Sequence, residues 1–378
     1  MDDMKLRKLS VDYLWDGLIL SDDIYNNSGE IMLIPKGEAV IKSKLEKQLQ
    51  FYGEAGSVMV HENTYLKIVA DSYMPARMSG EEIEKQTGYQ KLHQDIGNLF
   101  YNAKTEQWMD KESMEALSQE IADKLAELDP VTIFECMNLQ RPVEEKLQRH
   151  SLNVAFLNGM QAKWMGMGRD RVKRFILAGL LHDIGKTLIP EKILNASRRL
   201  TGDEIEMARM HTVYSERMLK EQFDDEVGRA VRHHHERLDG TGYPDGIAGQ
   251  EISLSARVTA ISDIYDAMIS VRKEKSSGLP FNVLDMFYEG GAEGLDRKLV
   301  LGFIKKMHLA YMDKRVIMSN GRLGTIRYIP FNDAEHLVIQ QGAEIKQAND
   351  KWFCEAVAVE RINNGGTGDS SASPGLSF

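Results

Sequence analysis

The 378-residue chain is poor in cysteine, has no long apolar run and carries no excess of positive charge. Its two cysteines, Cys136 and Cys354, are far apart and form no CxxC pair, which indicates free thiols rather than a disulfide framework. No stretch approaches the twenty apolar residues that a membrane-spanning helix needs, and the N-terminal residues lack the apolar region of a signal peptide. The sequence therefore predicts a cytoplasmic protein with no membrane partner.

The charge balance is acidic, with 47 basic and 57 acidic residues and a formal net charge of −10. Broad nucleic-acid binding needs a basic face, so no nucleic-acid partner is expected. A small anionic ligand is still compatible with this balance, because metal ions and local basic residues can invert the field at a site.

Patterning along the chain predicts a mainly α protein with small flanking modules. Turn signals around Ile31–Ile34 and a strand at Ser57–Val60 indicate an α+β module, whereas apolar stripes at helical spacing fill the middle of the chain. The predicted division is an N-terminal accessory module over 1–75, a helical domain over 79–306, a C-terminal β module over 310–363 and a disordered tail over 364–378.

The segment from Ser79 to Leu128 is polar, charged and prone to form helices, with a helix start at Ser79–Glu82. A solvated helical region is the favoured interpretation, with dimerisation as the alternative. Further along, VIMSNGRLGTIRYIP predicts a hairpin that turns at Asn320–Gly321.

Two groups that can bind metal, His182 and Asp183, are adjacent at the end of the apolar segment FILAGLLHDIGK. Gly185 permits a tight helix end there, and Lys186 places a cation nearby. A histidine hydrogen-bonded in the core beside a capping aspartate is the favoured explanation for such a pair when it stands alone.

Further histidines favour the metal-binding interpretation. His211 lies on TGDEIEMARMHTVYSERML, which we expect to form one helix with His211 on its core-facing side. DDEVGRAVRHHHE carries His234 and His235, and two further apolar helices carry His150 and Asp263. Any one of these residues could be satisfied by packing, but a buried cluster of imidazoles and carboxylates is costly unless it is paired or bound to metal.

The loop that follows, RLDGTGYPDG, contains ordinary turn chemistry because its glycines supply positive φ angles. Beside a metal site, however, the step from Tyr243 to Pro244 also offers flat apolar faces on which a purine can stack.

Together these motifs resemble the HD-GYP family, a branch of the HD-domain metal-dependent phosphohydrolases. The similarity runs through HSLNVA, HDIGK, His211, HHERLDGTGYP and SDIYDAM to Arg272 and Lys275, over nearly half the chain. The resemblance implies an HD-type helical bundle that holds two, sometimes three, iron or other transition-metal ions. It also implies hydrolysis of cyclic di-GMP to linear pGpG, and often on to GMP, by a metal-bridging hydroxide.

Carried onto this sequence, the resemblance assigns roles to individual residues. Asp183 would bridge the metals, Lys186 would contact the scissile phosphate, and both would be catalytic. The full set of metal ligands would be His150, His182, Asp183, His211, His234, His235 and Asp263. The other substrate-binding residues would be Tyr243 and Pro244 at the guanine, and Arg272 and Lys275 at the phosphates.

One departure bears on the number of metal ions. Family members with three metals carry a glutamate one helical turn before the first histidine, whereas this sequence has Lys146 there. A cation cannot replace that ligand, so two metal ions are expected. The resemblance favours iron, although imidazole and carboxylate ligands suit Fe, Mn, Zn or Ni alike.

Two alternative functions stay open. The protein could hydrolyse another cyclic or linear dinucleotide or a nucleoside triphosphate, because the basic residues suit any phosphate. It could also be a receptor that binds cyclic di-GMP with little turnover, although the intact ligand set disfavours this.

Overall fold

The computed structural model describes residues 6–10, 23–25, 32–35, 44–45, 47, 57–61, 87–106, 110–138, 146–196, 198–272, 281–318, 323–330, 338–341, 344–347 and 356–359. Five predictions concern positions outside these ranges: the phosphate contact of Lys275, the helix start at Ser79–Glu82, the turn at Asn320–Gly321, the free thiol of Cys354 and the disordered tail over 364–378.

The chain divides into two compact units. The first comprises Met1–Ser79, Arg315–Thr325 and Trp352–Phe378, and the second comprises Gly80–Lys314 and Ile326–Lys351. The second unit contains every described residue for which a site role is predicted. The four-part division predicted from the sequence groups the C-terminal strands differently and stays a prediction.

The described strands are short and pair antiparallel. In the first unit β1 (Leu6–Ser10) pairs with β4 (Ser57–His61), and β2 (Ile24–Tyr25) pairs with β3 (Met32–Ile34). There, β5 (Arg315–Met318) also pairs with β9 (Ala356–Val359) and with the start of β6 (Leu323–Tyr328). In the second unit β7 (Val338–Gln341) pairs with β8 (Glu344–Gln347).

Helices make up most of the second unit, which confirms the predicted mainly α class. In chain order they are α1 (Tyr89–Glu106), α2 (Lys111–Glu127), α3 (Pro130–Asn138), α4 (Lys146–Trp164), α5 (Arg169–Leu181), a 3-10 turn (Ile184–Leu188), α6 (Glu191–Leu194), α7 (Gly202–Arg209), α8 (His211–Leu219), α9 (Asp225–His233), a second 3-10 turn (Gly249–Glu251), α10 (Leu254–Arg272), α11 (Phe281–Met286), a π-helical turn (Phe287–Gly291) and α12 (Arg297–Tyr311). No helix among the described residues combines the length and apolar content that crossing a membrane requires.

Helix α4 lies at the centre of this unit and packs against α1, α2, α5 and α10. Every residue from Ser151 to Ala162 is buried, so the helix is covered on all its faces. A helix that is enclosed in this way can present polar residues to the interior only where partners satisfy them. His150 directly precedes the buried segment and is itself half-buried, so it lies at the edge of the core.

The structure corrects the prediction of a solvated helical region between Ser79 and Leu128. Helix α1 buries Leu92, Ile96 and Phe100, and α2 buries an apolar stripe against α5. These apolar stripes are narrow, and charged residues separate them. The average hydrophobicity of the segment is therefore low, and for this reason the sequence predicted a solvated region.

The predicted single helix through His211 is also wrong, because α7 ends at Arg209 and α8 begins at His211. Two side chains donate hydrogen bonds to the backbone carbonyls at the end of α7. The His211 ring donates from Nδ1 to the Ala208 carbonyl over 2.7 Å, and the Thr212 hydroxyl donates to the Arg209 carbonyl over 3.0 Å. The break therefore sets the orientation of the His211 ring.

The close packing of α4 and α5 depends on Gly179, and its replacement should destabilise the fold. A Cβ atom at this position would lie 2.6 Å from the Ala155 Cα atom, so Gly179→Ala requires the helices to separate. We expect a loss of about 1–3 kcal/mol, seen as a lower melting temperature in circular dichroism.

Gly228→Ala is the matched control, because Gly228 lies within α9 and a Cβ there meets nothing within 4 Å. It should stabilise the protein slightly, since alanine favours helix more than glycine. Equal melting temperatures for the two variants would contradict the packing role of Gly179.

Candidate metal centre

Most of the predicted metal ligands lie where helices end. His182 is the C-cap of α5, and Asp183 stands between it and the following 3-10 turn. His211 is the first residue of α8, and His234 is the C-cap of α9, followed directly by His235. At these points the backbone changes direction, which lets adjacent residues such as His182 and Asp183 face the same centre.

The side chains form two clusters that share Asp183. One consists of Asp183, His211, His234 and His235, and the other of His150, His182 and Asp183. Within each cluster the candidate ligand atoms lie within 4.8 Å of one another. The Asp183 Oδ1 atom is 3.3 Å from His211 Nε2 and 3.9 Å from His234 Nε2. Its Oδ2 atom is 3.3 Å from His182 Nε2 and 3.7 Å from His150 Nε2.

Asp263, on α10, contacts both clusters as well. Its Oδ1 atom is 3.0 Å from His150 Nε2, and its Oδ2 atom is 3.9 Å from His235 Nδ1. Each of these two carboxylates therefore offers one oxygen to each cluster, an arrangement suited to two cations held side by side.

Three of the histidines are oriented by the same local hydrogen bond. In each, Nδ1 donates to the backbone carbonyl three residues earlier, which leaves Nε2 as the acceptor that faces the centre. The distances are 2.8 Å from His182 to Gly179, 2.7 Å from His211 to Ala208 and 2.8 Å from His234 to Val231.

The donor set fits transition-metal ions. The Asp183 Oδ1 atom is buried and accepts no hydrogen bond from any described residue. Two pairs of Nε2 atoms face each other, His150 with His182 at 3.2 Å and His211 with His234 at 3.5 Å. The lone pairs of His211 and His234 and the unpaired buried oxygen of Asp183 are costly to hold together unless a cation lies between them. The set therefore has the chemistry of a two-metal site, and no metal identity follows from it.

Burial and neighbouring charges shift the pKa values of these groups toward the protonation states that bind metal. Burial, reinforced by the charge of His235, holds the pKa of His234 well below its usual range, so this ring is neutral. Burial likewise lowers the pKa of His235 to about 3, against the opposing effect of Asp263. Burial would raise the pKa of Asp183, but His182 and Lys186 outweigh it and hold that pKa well below the ordinary value. In this part of the centre, neutral imidazoles of His234 and His235 thus lie beside the ionised carboxylate of Asp183.

Lys186 is the cation at the edge of the centre. Its Nζ atom lies 2.5 Å from Asp183 Oδ2, and 30% of its side chain is exposed. Burial lowers its pKa, but the charges of Asp183 and Asp263 overcome this and raise the pKa above the ordinary value. Lys186 therefore stays charged and accessible to an anion.

The loop after α9 is held tightly against the histidine ligands. A Cβ atom on Gly242 would lie 2.4 Å from the Glu236 Cα atom, so only glycine allows this approach. The buried Glu236 carboxylate accepts hydrogen bonds from the backbone of Asp245 at 2.7 Å and of Gly246 at 3.1 Å. Glu236 had no role in the sequence-based prediction, although its place beside His235 in the HHE motif was visible.

The Tyr243 ring lies against a metal-ligand candidate. It stacks on the His235 ring with centroids 4.7 Å apart, and the Arg209 guanidinium lies 4.9 Å from its centroid. Pro244 is half-buried next to it. Outside the clusters, His233 instead contacts Asp245, with 2.8 Å between Nε2 and Oδ2. Arg272 is the last residue of α10.

Comparison with known proteins agrees with this geometry. Residues 136–289 match the family model described as HD domain. This segment of the chain is similar to HD domains. The chain is 31% identical over 256 residues to the cyclic di-GMP phosphodiesterase PA4108 of Pseudomonas aeruginosa, covering 67% of this chain and 61% of that protein. The resemblance to HD-GYP proteins is thereby confirmed.

Two further relatives match shorter parts of the chain. A cyclic di-GMP phosphodiesterase of Thermotoga maritima is 36% identical over 151 residues, 38% of this chain and 41% of that protein. The 3'3'-cGAMP-specific phosphodiesterase 1 of Vibrio cholerae is 38% identical over 130 residues, 34% of this chain and 30% of that protein. The chain thus spans less than two thirds of the length of each of these relatives.

A series of hydrogen bonds between buried side chains, which the sequence did not predict, supports the predicted ligand His150. The Tyr89 hydroxyl on α1 donates to Asn153 Oδ1 over 2.5 Å, and Asn153 Nδ2 donates to Asp266 Oδ1 over 2.7 Å. The other Asp266 oxygen lies 2.8 Å from His150 Nδ1. Partners of this kind fix the orientation of a histidine ligand and raise its basicity.

Asp266→Asn should weaken metal binding about 10- to 100-fold, as loss of such a partner typically does. Asp266 accepts from two donors at once, His150 and Asn153, whereas an asparagine has one acceptor oxygen and would set its amide group against a donor. Chelator competition on the purified protein measures the change. Tyr89→Phe should have a smaller effect in the same direction.

The control is Tyr265→Phe, because the Tyr265 hydroxyl is buried and has no hydrogen-bond partner among the described residues. Metal affinity in this variant should match that of the unmodified protein. If the Asp266→Asn protein bound metal with unchanged affinity, the hydrogen bonds from Tyr89 through Asn153 and Asp266 would not support His150.

The metal-free HD domain should lose stability as the pH rises. Burial lowers the pKa of His150, but Asp263 and Asp266 raise it to about 10 in the folded state, against an ordinary value of 6.5. Protonated His150 therefore contributes its full stabilisation below pH 6.5 and loses it as the pH rises through 10. Melting temperatures measured across this window should fall, and His150→Gln should flatten the slope. An identical slope in both proteins would exclude His150 as its source.

Proposed function

We propose that this protein is a metal-dependent phosphodiesterase that hydrolyses cyclic di-GMP to pGpG and onward to GMP. The observation that carries the proposal is the buried Asp183 carboxylate shared between two histidine clusters. The named activities of the relatives in Pseudomonas aeruginosa and Thermotoga maritima support the choice of substrate. The cysteine pattern supports action in the cytoplasm.

The ligand set is proposed to hold two transition-metal ions, with iron favoured by the HD-GYP resemblance and Mn, Zn or Ni compatible with the donors. Its members are His150, His182, Asp183, His211, His234, His235 and Asp263. Bound metal ions would supply a water of lowered pKa and would polarise the phosphodiester for attack. Lys146 is the first residue of α4, one turn before His150, and adds no carboxylate there.

Lys186 is proposed to contact the scissile phosphate when substrate binds. In the structure its Nζ atom contacts Asp183 Oδ2, the oxygen that faces His182. A phosphate near the metal centre would give Lys186 a second anion, so the charge that develops during hydrolysis is offset by a group already in place. Fixed donors of this type act without reorganisation at the moment of reaction.

The remaining substrate contacts are proposed for the rim of the site. Arg272 and Lys275 would bind the phosphates that are not cleaved, and Tyr243 and Pro244 would border the guanine. Since the Tyr243 ring stacks on His235, a base that contacts it would lie close to the metal centre.

A second candidate substrate is 3'3'-cGAMP, favoured by the named specificity of the Vibrio cholerae relative. A receptor with little turnover is the competing role from another class. The two clusters contain every predicted ligand except Asp263, and Asp263 contacts a histidine of each cluster. This nearly complete ligand set supports catalysis instead.

The first test is hydrolysis of cyclic di-GMP by the metal-loaded protein, followed by chromatography, together with metal analysis of Asp183→Ala. Loss of the shared carboxylate should abolish turnover and lower the bound metal. Asp170→Ala, at an exposed position on the helix that ends before His182, should behave like the unmodified protein.

Full hydrolysis by a folded Asp183→Ala protein would disprove the proposed mechanism. Bound metal with retained cyclic di-GMP binding but no product would favour the receptor. Faster turnover of 3'3'-cGAMP than of cyclic di-GMP would reassign the substrate.

A further inference from the structure

A cleft of about 530 Å³ adjoins the metal centre on the side of helix α1. Its walls come from α1, the start of α4, the 3-10 turn after His182, and α6. Lys186 lines one part of the cleft, and the same side chain reaches Asp183. The cleft is therefore continuous with the position proposed for the scissile phosphate.

Helix α1 presents a stripe of recognition groups to this cleft. Gln94, Asn98 and Tyr101 follow one another at helical spacing, and all three are exposed, Tyr101 by 68%. None of the three side chains donates or accepts a hydrogen bond within the described part of the chain. Between them, Gly97 leaves open space, because a Cβ atom there meets nothing within 4 Å.

The facing wall combines apolar and polar groups. Leu147 and Leu194 supply apolar surface, and Gln148 and Thr187 supply hydrogen-bonding groups. Polar and apolar residues both line the cleft, and Lys104 and Glu191 on its wall form an ion pair over 3.0 Å. A cavity of this volume with convergent polar groups is typical of sites for small ligands. An aromatic ring with neighbouring amides is suited to a purine, because the base can stack on the ring while the amides hydrogen-bond to the edge of the base.

We infer that this cleft binds one nucleoside half of the cyclic dinucleotide, an inference that rests on the proposed function. The base stacks on Tyr101, Gln94 and Asn98 hydrogen-bond to its edge, and the attached phosphate lies at Lys186. Tyr243 is not among the described residues that line this cleft, so the two halves of the substrate occupy different surfaces.

The position of α1 gives this subsite a role in specificity. Residues 89–106 precede the segment 136–289 that matches the HD domain. The choice between guanine and adenine at this half of the substrate is thus made by a helix outside the matched segment.

Gly97→Leu tests the subsite by filling it. The backbone of α1 accepts the change, because leucine favours helix more than glycine and the added side chain enters open space. The KM for cyclic di-GMP should rise about tenfold, the effect of losing one stacked base. Turnover of bis(p-nitrophenyl) phosphate, which has no nucleoside, should stay unchanged in the same metal-loaded protein.

Gly302→Leu is the matched control, because Gly302 lies within α12, has equally open surroundings and does not line the cleft. It should leave both substrates unaffected. Tyr101→Ala should repeat the rise in KM for cyclic di-GMP without the added bulk.

An unchanged KM for cyclic di-GMP in both Gly97→Leu and Tyr101→Ala would overturn the subsite while leaving the proposed activity in place. Equal losses on both substrates would overturn it too, since they would indicate damage to the metal centre. If the unmodified protein cleaves bis(p-nitrophenyl) phosphate but no cyclic dinucleotide, the proposed function fails and the subsite fails with it.

Discussion

The buried carboxylate of Asp183 is the constraint on which the rest of the centre depends. An ionised carboxylate is stable in a protein interior only when cations or donors surround it. Here Lys186 lies against one oxygen, and histidines from three helices face the pair. The helices converge because their ends must all reach the same charged group.

The way in which the ligands are held follows from helix geometry. A histidine at a helix end can return its Nδ1 proton to a carbonyl three residues earlier, as His182 and His234 do. The same bond marks the interruption between α7 and α8, where it orients His211. A local feature that the chain repeats three times therefore produces one shared centre, and His150 alone relies on a long-range partner, Asp266.

The mainly α class and the chemistry of the centre could be predicted from the sequence, because histidines and aspartates buried on apolar helices are costly unless they are paired or bind metal. The break at Met210 could not, since the residues around it are all compatible with helix and no local pattern reveals the hydrogen bond from His211 to the Ala208 carbonyl. The support from Tyr89 was also invisible, because it joins residues 64 positions apart in the chain. Helical periodicity indicates which face is buried, but not which distant polar group meets it.

Helix α1 connects the metal centre to a part of the chain outside the segment that matches the HD domain. It supplies the buried Tyr89 hydroxyl and covers α4, whose residues from Ser151 to Ala162 are buried on every face. The packing around the centre consequently extends beyond the matched segment, 136–289. Excised from the chain, that segment would expose apolar surface of α4 to water and leave the side-chain Oδ1 of Asn153 without its donor.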